Sequence, residues 1–512
     1  MFRIRKKTAQ APSKDSKKPE GQQAIFNELD KNISKYKEVF GDKSDLSVRL
    51  LQGGHDKLAI LYIDTLVEKE IIDQHVIHEI NNQFLQIPES VDKVILSTNK
   101  MKELKTHEDV TKHLLQGYSI ILIDGKNIAY AADTEGGERR AVSESTAETI
   151  VRGPKESFNE SIMTNIGLIR KRIRSPKLQV FKKTVGKESQ TSVGVLSLDG
   201  IAKDEIVEEV VSRIDKIKID GVLESLYIEE LIEDPKQYTP FPTVFNSERP
   251  DRIAAGLLEG RIAILVDGTP VALLVPATMG QFLTSNEDYY QRYDIATLMK
   301  LLRGFSFLLS IILPGFYVSL LTYHQEMIPT PLLVAITGQR EGVPFGVAIE
   351  VAIMEVTFEI LREAGIRLPK TVGSAVSIVG GLVLGQAAVE AGLVGQATVI
   401  VVALTAICSF TAPSYNIAIT ARMLRFILLI LSAVLGAFGL IFGLLFILVH
   451  LNSLRSFSVP YLAPLVPFHK EDWKDLFIRA PWKYMKQRPD EITNDNQNRS
   501  QISKNGSNRR NR

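Results

Sequence analysis

Hydrophobic residues are distributed unevenly along this chain. Up to about residue 295 they come in short runs separated by charge, whereas residues 301–460 hold eight basic and seven acidic side chains. Short runs predict strands and amphipathic helices, and long uncharged ones predict membrane-spanning helices. The pattern therefore predicts an α+β soluble N-terminal domain followed by an all-α polytopic membrane domain.

The soluble part repeats itself. Residues 58–64 (LAILYID) and 193–199 (VGVLSLD) are apolar runs ending in Asp, each followed by a helical stretch carrying Glu70-Ile71 or Glu205-Ile206. Residues 114–129 (LLQGYSIILIDGKNIA) align with 257–272 (LLEGRIAILVDGTPVA), pairing Gly117 with Gly260, Asp124 with Asp267 and Gly125 with Gly268 at one offset of 143. The first pair of runs is offset by 135. Two related half-domains, 23–150 and 185–295, account for both, joined by a helix and linker over 151–184. An Asp-Gly between apolar runs predicts strand, turn, strand. Residues 261–277 thus read as a buried hairpin, all the more because Asp267 and Pro270 sit at their centre, where a lipid-exposed helix tolerates them poorly.

In the joining helix, Ser157 and Glu160 have the spacing of a capping box. Phe158, Ile162, Ile166, Ile169 and Ile173 then draw one apolar stripe. Arg170, Lys171, Arg172 and Arg174 crowd its end, either as an anion or subunit contact or as a solvated face complementing the helix dipole.

The membrane domain is expected over 296–465. Residues 305–321 carry no charge and, modestly extended, span a bilayer core of about 30 Å. Pro314-Gly315 in their middle predict a kink or a local break. Residues 371–389, 393–411 and 426–451 read as further spans, the last flanked by Arg422, Arg425 and Arg455 at positions suited to snorkelling. Residues 343–361 have the length of a span but contain Glu350, Glu355 and Glu359. Glu355 and Glu359 share a helix face, with Glu350 about 140° away. A carboxylate at bilayer depth costs roughly 2.5 kcal/mol or more unless it faces protein or water. That helix is therefore either interfacial, leaving four transmembrane helices and an internal C-terminus, or a fifth span along an aqueous path. Glu350, Glu355 and Glu359, with Gln386 and Glu390, are the candidate pore-lining or gating residues; the last two read equally as helix-end groups. Gly373, Ser377, Gly381 and Gly385 recur every fourth position as a helix-packing groove, and Gly436, Gly439 and Gly443 do the same on the last span.

Composition narrows the chemistry. Lys and Arg number 61 against 59 Asp and Glu, which argues against a bulk nucleic-acid binder. One cysteine, Cys408, excludes a disulfide scaffold and a Cys-rich zinc site. Residues 1–22 form a basic tail expected to be disordered, with no apolar run for a secretory signal, so the soluble domain is expected on the cytoplasmic side. Residues 466–512 read as a second basic tail. No nucleotide, dinucleotide or metalloprotease motif is present. His75 and His78 lack a third ligand, and a turn accounts for Asp124 and Asp267. No cofactor, metal or catalytic residue is expected.

Several long stretches resemble the A subunit of GerA-type spore germination receptors of endospore-forming bacteria. They are 152–174 (RGPKESFNESIMTNIGLIRKRIR), 239–251 (TPFPTVFNSERPD), 285–290 (SNEDYY), 314–329 (PGFYVSLLTYHQEMIP), 342–394 and the MLRF at 423–426. Gly346 departs from the proline that the family pattern carries there. The resemblance implies a non-enzymatic subunit of the spore inner membrane that works with a transporter-like B subunit and a lipoprotein C subunit. It also implies a homo-oligomeric ring, a pentamer, forming an ion conduit that opens on nutrient binding. From the residues alone, a secondary transporter or a scaffold without its own pore remain open readings.

Overall fold

A computed structural model describes residues 23–41, 45–53, 56–78, 101–136, 148, 150–234, 238–468, 472–494 and 499, without the side chains of 52–53, 56, 75, 370–372, 374–379 and 382. The tail 1–22 and the side chains of His75 and Ser377 thus lie outside the described residues. Backbone contacts divide the chain into two compact units, residues 1–141 with 163–181, and 142–162 with 182–512.

In the first unit, β1 (Leu46–Gly53), β2 (Asp56–Ile63), β3 (Met101–Leu104), β4 (Tyr118–Ile123) and β5 (Ala129–Asp133) form an antiparallel sheet in the order β1-β2-β4-β5-β3. Its central strands are apolar on both faces because both are covered. Leu61, Ile63, Ile120 and Leu122 meet Tyr36 and Phe40 of α1 (Leu29–Phe40) and Val110 and Leu114 of α2 (His107–Leu114), while Leu58, Ile60, Ile121 and Ile123 meet Ile72 and Val76. Continuous rather than alternating apolar runs follow from that double burial.

The second sheet comprises β6 (Leu178–Val185), β7 (Thr191–Leu198), β8 (Phe245–Ser247), β9 (Ile262–Val266) and β10 (Ala272–Val275), in the order β6-β7-β9-β10-β8. This is the strand order of the first sheet. Helix α3 (Ile162–Arg172) belongs, beyond its first residue, to the first unit, and α4 (Asp204–Asp215), α5 (Ser225–Ile232) and α6 (Pro250–Leu258) accompany the second sheet. Residues 261–277 are the expected buried strand pair, with Leu265 opposite Ala272. The Asp-Gly loops do more than turn the chain. Asp124 accepts from the backbone N–H of Leu29 at 3.0 Å, and Asp267 accepts from that of Ile162 at 3.0 Å. Each aspartate caps the first residue of a helix that precedes its sheet, which satisfies an otherwise unpaired amide.

That geometry replaces the expected capping box. Helix α3 starts at Ile162, after Glu160, and Ser157 donates instead to the Glu248 carbonyl at 3.1 Å. Arg170 is neither a solvated cation nor a surface contact. It is 0 % exposed and donates to Asp45, the Leu178 carbonyl at 3.0 Å and the Ser175 carbonyl at 3.1 Å.

The C-terminal region is helical: α7 (Tyr293–Tyr323), α8 (Thr330–Gln339), α9 (Val347–Arg367), α10 (Lys370–Glu390), α11 (Gln396–Ser409) and α12 (Tyr415–Ser453). Among the described residues, two helices, α7 and α12, are long and apolar enough to cross a membrane. Helix α7 runs unbroken through Pro314. Helix α12 is not the single rod its hydropathy suggests. Gly436 takes φ 62° and ψ −142°, and beyond it the chain folds back on itself. A Cβ on Gly443 would lie 2.4 Å from Leu428, and one on Gly439 would strike the Leu431 carbonyl. Near the two ends of α12, Thr420 donates to the Pro240 carbonyl at 2.5 Å and His450 lies 2.9 Å from the Thr239 hydroxyl. Only glycine adopts this backbone without strain. The glycines at 436, 439 and 443 therefore make a reversal and its close-packed limbs, not a groove on one continuous helix.

Candidate functional site

The carboxylates of α9 each find an arginine. Glu350, 0 % exposed, accepts from Arg340 Nη2 at 2.7 Å, the Gly395 amide at 3.0 Å and the Thr398 hydroxyl at 3.1 Å. This ties the start of α9 to the α10–α11 turn. Glu355, 1 % exposed, pairs with Arg425 of α12, 2 % exposed, at 3.1 Å. One turn on, Glu359 pairs with Arg422 and lies 3.8 Å from Arg362. Glutamates four apart on α9 thus meet arginines three apart on antiparallel α12, which binds the helices like two rungs. Glu355 Oε1, Glu359 Oε2 and Arg425 Nε remain buried without a hydrogen-bond partner. The cluster is held by charge more than by complete hydrogen bonding, which leaves it sensitive to loss of either partner.

Gln386 and Glu390 behave differently. They lie on an exposed face of α10, where the Gln386 amide donates to Glu390 Oε1 at 2.8 Å. The glycines of the α10 ladder meet different surroundings. Gly373 is buried against the Gly365 carbonyl, a Cβ on Gly385 would lie 3.5 Å from Val399, and one on Gly381 would meet nothing within 4 Å. Its register still fixes direction: 373 opposite 365 makes α9 and α10 antiparallel, and 385 opposite 399 does so for α10 and α11. Tyr317 of α7 lies 3.2 Å from the Thr398 hydroxyl, and Tyr323 donates to the Ala433 carbonyl at 2.9 Å and the Val434 carbonyl at 3.0 Å. The latter carbonyls close the first limb of α12, where no intrahelical donor follows.

Around this polar interior the surface is greasy. Ile430, Val434, Phe438, Phe442 and Phe446 are all more than half exposed. An apolar surface that continuous belongs against lipid or another chain.

A cavity of about 800 Å³ lies beside the second sheet, lined among others by Glu148, Glu224 and Glu229 on one side and Phe358, Arg362 and Phe410 on the other. Burial, and then the neighbouring Glu233, pushes the Glu229 carboxyl up to about 7.

The arginine partners Arg340, Arg422 and Arg425 were not among the expected site residues, the last two because cations beside an apolar run read as snorkelling groups. The matched spacings, Glu355 and Glu359 against Arg422 and Arg425, are the signal that points to them.

Two antiparallel sheets of one strand order, followed by apolar helices laced by internal ion pairs, define a membrane-associated α+β protein. The Bacillus/Clostridium GerA spore germination protein family matches residues 34–491. The chain is 46% identical over 476 residues to spore germination protein KA of Bacillus subtilis (strain 168), covering 92% of this chain and 87% of that one. It is also 42% identical over 440 residues to the uncharacterized membrane protein YfkQ of the same organism, covering 84% of each. The crystal structure of the N-terminal domain of the A subunit of the Bacillus megaterium spore germinant receptor GerK3 is 32% identical, covers 50% of this chain and 98% of its own, and has a TM-score of 0.40. The chain belongs to the GerA spore germination family.

Proposed function

We propose that this chain is the A subunit of a nutrient-responsive germination receptor in the spore inner membrane. It works with a transporter-like B subunit and a lipoprotein C subunit, and its copies assemble with membrane lipid into a pentameric ring enclosing an ion conduit. The soluble domain, two half-domains related by duplication, faces the spore core. Six helical passes, namely α7, α9, α10, α11 and the two limbs of α12, return the C-terminus to that side, in place of the four or five passes expected from hydropathy. The alternating helix directions support this count.

The observation that carries the mechanism is the contrast between the paired glutamates of α9 and the exposed pair on α10. Glu350, Glu355 and Glu359 are bonded within the protomer, so their role is gating: they hold α9 against α12 and the α10–α11 turn. Gln386 and Glu390 are exposed on a helix with unpartnered room at Gly381, so they line the conduit formed between copies. Gly373 and Gly385 pack α10 against its neighbours.

Single-channel recording from the assembled complex tests this. Glu390→Lys is expected to lower cation conductance while leaving the nutrient response time unchanged. Conductance unaltered in both Glu390→Lys and Gln386→Leu removes the lining role. An assembled complex without conductance makes the chain a scaffold, and uptake of labelled nutrient by this chain alone makes it a transporter.

A further inference from the structure

The two sheets share one more feature, and it is filled in different ways. In the first unit Val67 forms an antiparallel bridge with Glu135, and the Gly136 amide donates to the Leu66 carbonyl at 3.2 Å. Gly117, at φ +89°, lies beneath this bridge, where a Cβ would come within 2.9 Å of the Leu66 carbonyl oxygen. The bridging segment, 134–136, is simply the continuation of β5.

In the second unit the residue equivalent to Val67, at the offset of 135 seen in the sequence, is Ala202, and the equivalent of Gly117 is Gly260. Ala202 forms the same antiparallel bridge, but with Thr493. The Asn494 amide donates to the Ile201 carbonyl at 2.9 Å, as Gly136 does to Leu66. Gly260, at φ +95°, lies beneath, and a Cβ there would come within 2.9 Å of Thr493 and 3.2 Å of the Ile492 carbonyl. The continuation of β10 cannot take the place: Pro276 has no N–H for a ladder, and the Ala277 and Met279 amides donate to Ser456 and to the Tyr461 carbonyl instead.

We infer that residues 485–494 are a clasp that docks into a strand position left open in the second sheet, the position that the first sheet fills with its own residues 134–136. The occupant is this chain's own C-terminal segment, held in the same copy. Ile492 and Thr493 are buried, and the Lys203 ammonium donates to the Glu491 carbonyl at 2.7 Å. Upstream, Tyr289 donates to Asp475 at 2.6 Å, Lys300 of α7 donates to the Asp475 carbonyl at 2.7 Å, and the Arg479 guanidinium stacks over Trp482 at 5.0 Å. The clasp therefore joins the exit of the last helix to the second sheet and to the root of the first membrane helix. A chain that leaves the helices through residues 454–468 is fastened back to the domain it started from.

The bridge geometry supplies the test. Ala202 and Thr493 form a non-hydrogen-bonded antiparallel pair, whose short Cα separation suits a disulfide. In the full-length chain carrying Ala202→Cys and Thr493→Cys, in membranes, mild oxidation is expected to link the two positions within one chain. A linked peptide pair in mass spectrometry would then accompany single-chain mobility on a non-reducing gel. No link, or a link only between chains, overturns the proposal, the latter by making a second copy the occupant. As a second arm, Gly260→Val is expected to push out Thr493 and raise tryptic cleavage after Lys486 roughly tenfold, since cleavage follows the open population. Gly117→Val is expected to leave that cleavage unchanged. Equal cleavage in Gly260→Val and the parent would count against the clasp.

Discussion

The two sheets have one strand order and one way of capping their leading helices, yet they close differently. The first closes on its own residues 134–136 and buries an ion pair, Arg170 with Asp45, within its unit. The second takes its closing segment from residues 492–494, which arrive after all the C-terminal helices. Local topology can be copied while closure is reassigned, and reassigning it makes the second sheet the part mechanically joined to the helical region. The second sheet thus meets the C-terminal helices through both a covalent and a docked connection.

Four changes sharpen or break this comparison. Asp45→Ala strands the buried Arg170 charge and is expected to destabilise the first unit by about 3–5 kcal/mol. Hydrogen exchange should show the loss in β1, β2 and β4 and not in the second sheet. Deleting residues 485–512 is expected to cost the second unit about 1–3 kcal/mol, read as faster exchange around Ala202 and Gly260 with the amides near Val67 unchanged. Asp124→Ala and Asp267→Ala should each cost about 1 kcal/mol, because each removes one helix cap. Unequal losses would break the equivalence of the two loops.

A further contrast is in pH dependence, where the sheets have opposite signs. Burial, and then Lys35, pushes His107 down to about 4, so its neutral form is favoured in the first unit. Stability from that burial is present above about 6.5 and is lost as pH falls through 4. Glu229 of the second unit is pushed up to about 7, so its contribution is greatest below 4.5 and falls as pH rises through 7. Glu229→Gln should raise the unfolding midpoint of the second unit above pH 7 and leave it unchanged at pH 4. A uniform shift at both pH values would refute the assignment.

Much of the soluble fold is legible in the sequence, because strands buried on both faces leave continuous apolar runs and because repeated Asp-Gly and Gly residues fix their alignment. The offsets of 135 and 143 even identify the residues that meet at each closure. The clasp is not legible: its bonds to residues 201–203 each use a backbone group and reach nearly three hundred positions away, and residues 485–494 are polar enough to read as a tail. Nor is the reversal at Gly436. Residues 426–451 have the length of one span, and glycines at 436, 439 and 443 suit a packing ladder as well as a hairpin. The glutamates of α9 stand out by the cost of burying them, whereas their arginines do not, since a cation at a span's end needs no partner to be explained.

The gating role proposed for those pairs is tested most directly by exchanging the charges of Glu355 and Arg425. Nutrient-triggered cation release should be lost in spores carrying Glu355→Arg or Arg425→Glu and should return when both are present, with equal amounts of protein in all three. Release that persists in the single variants, or that stays absent in the double variant at normal protein level, would contradict the account.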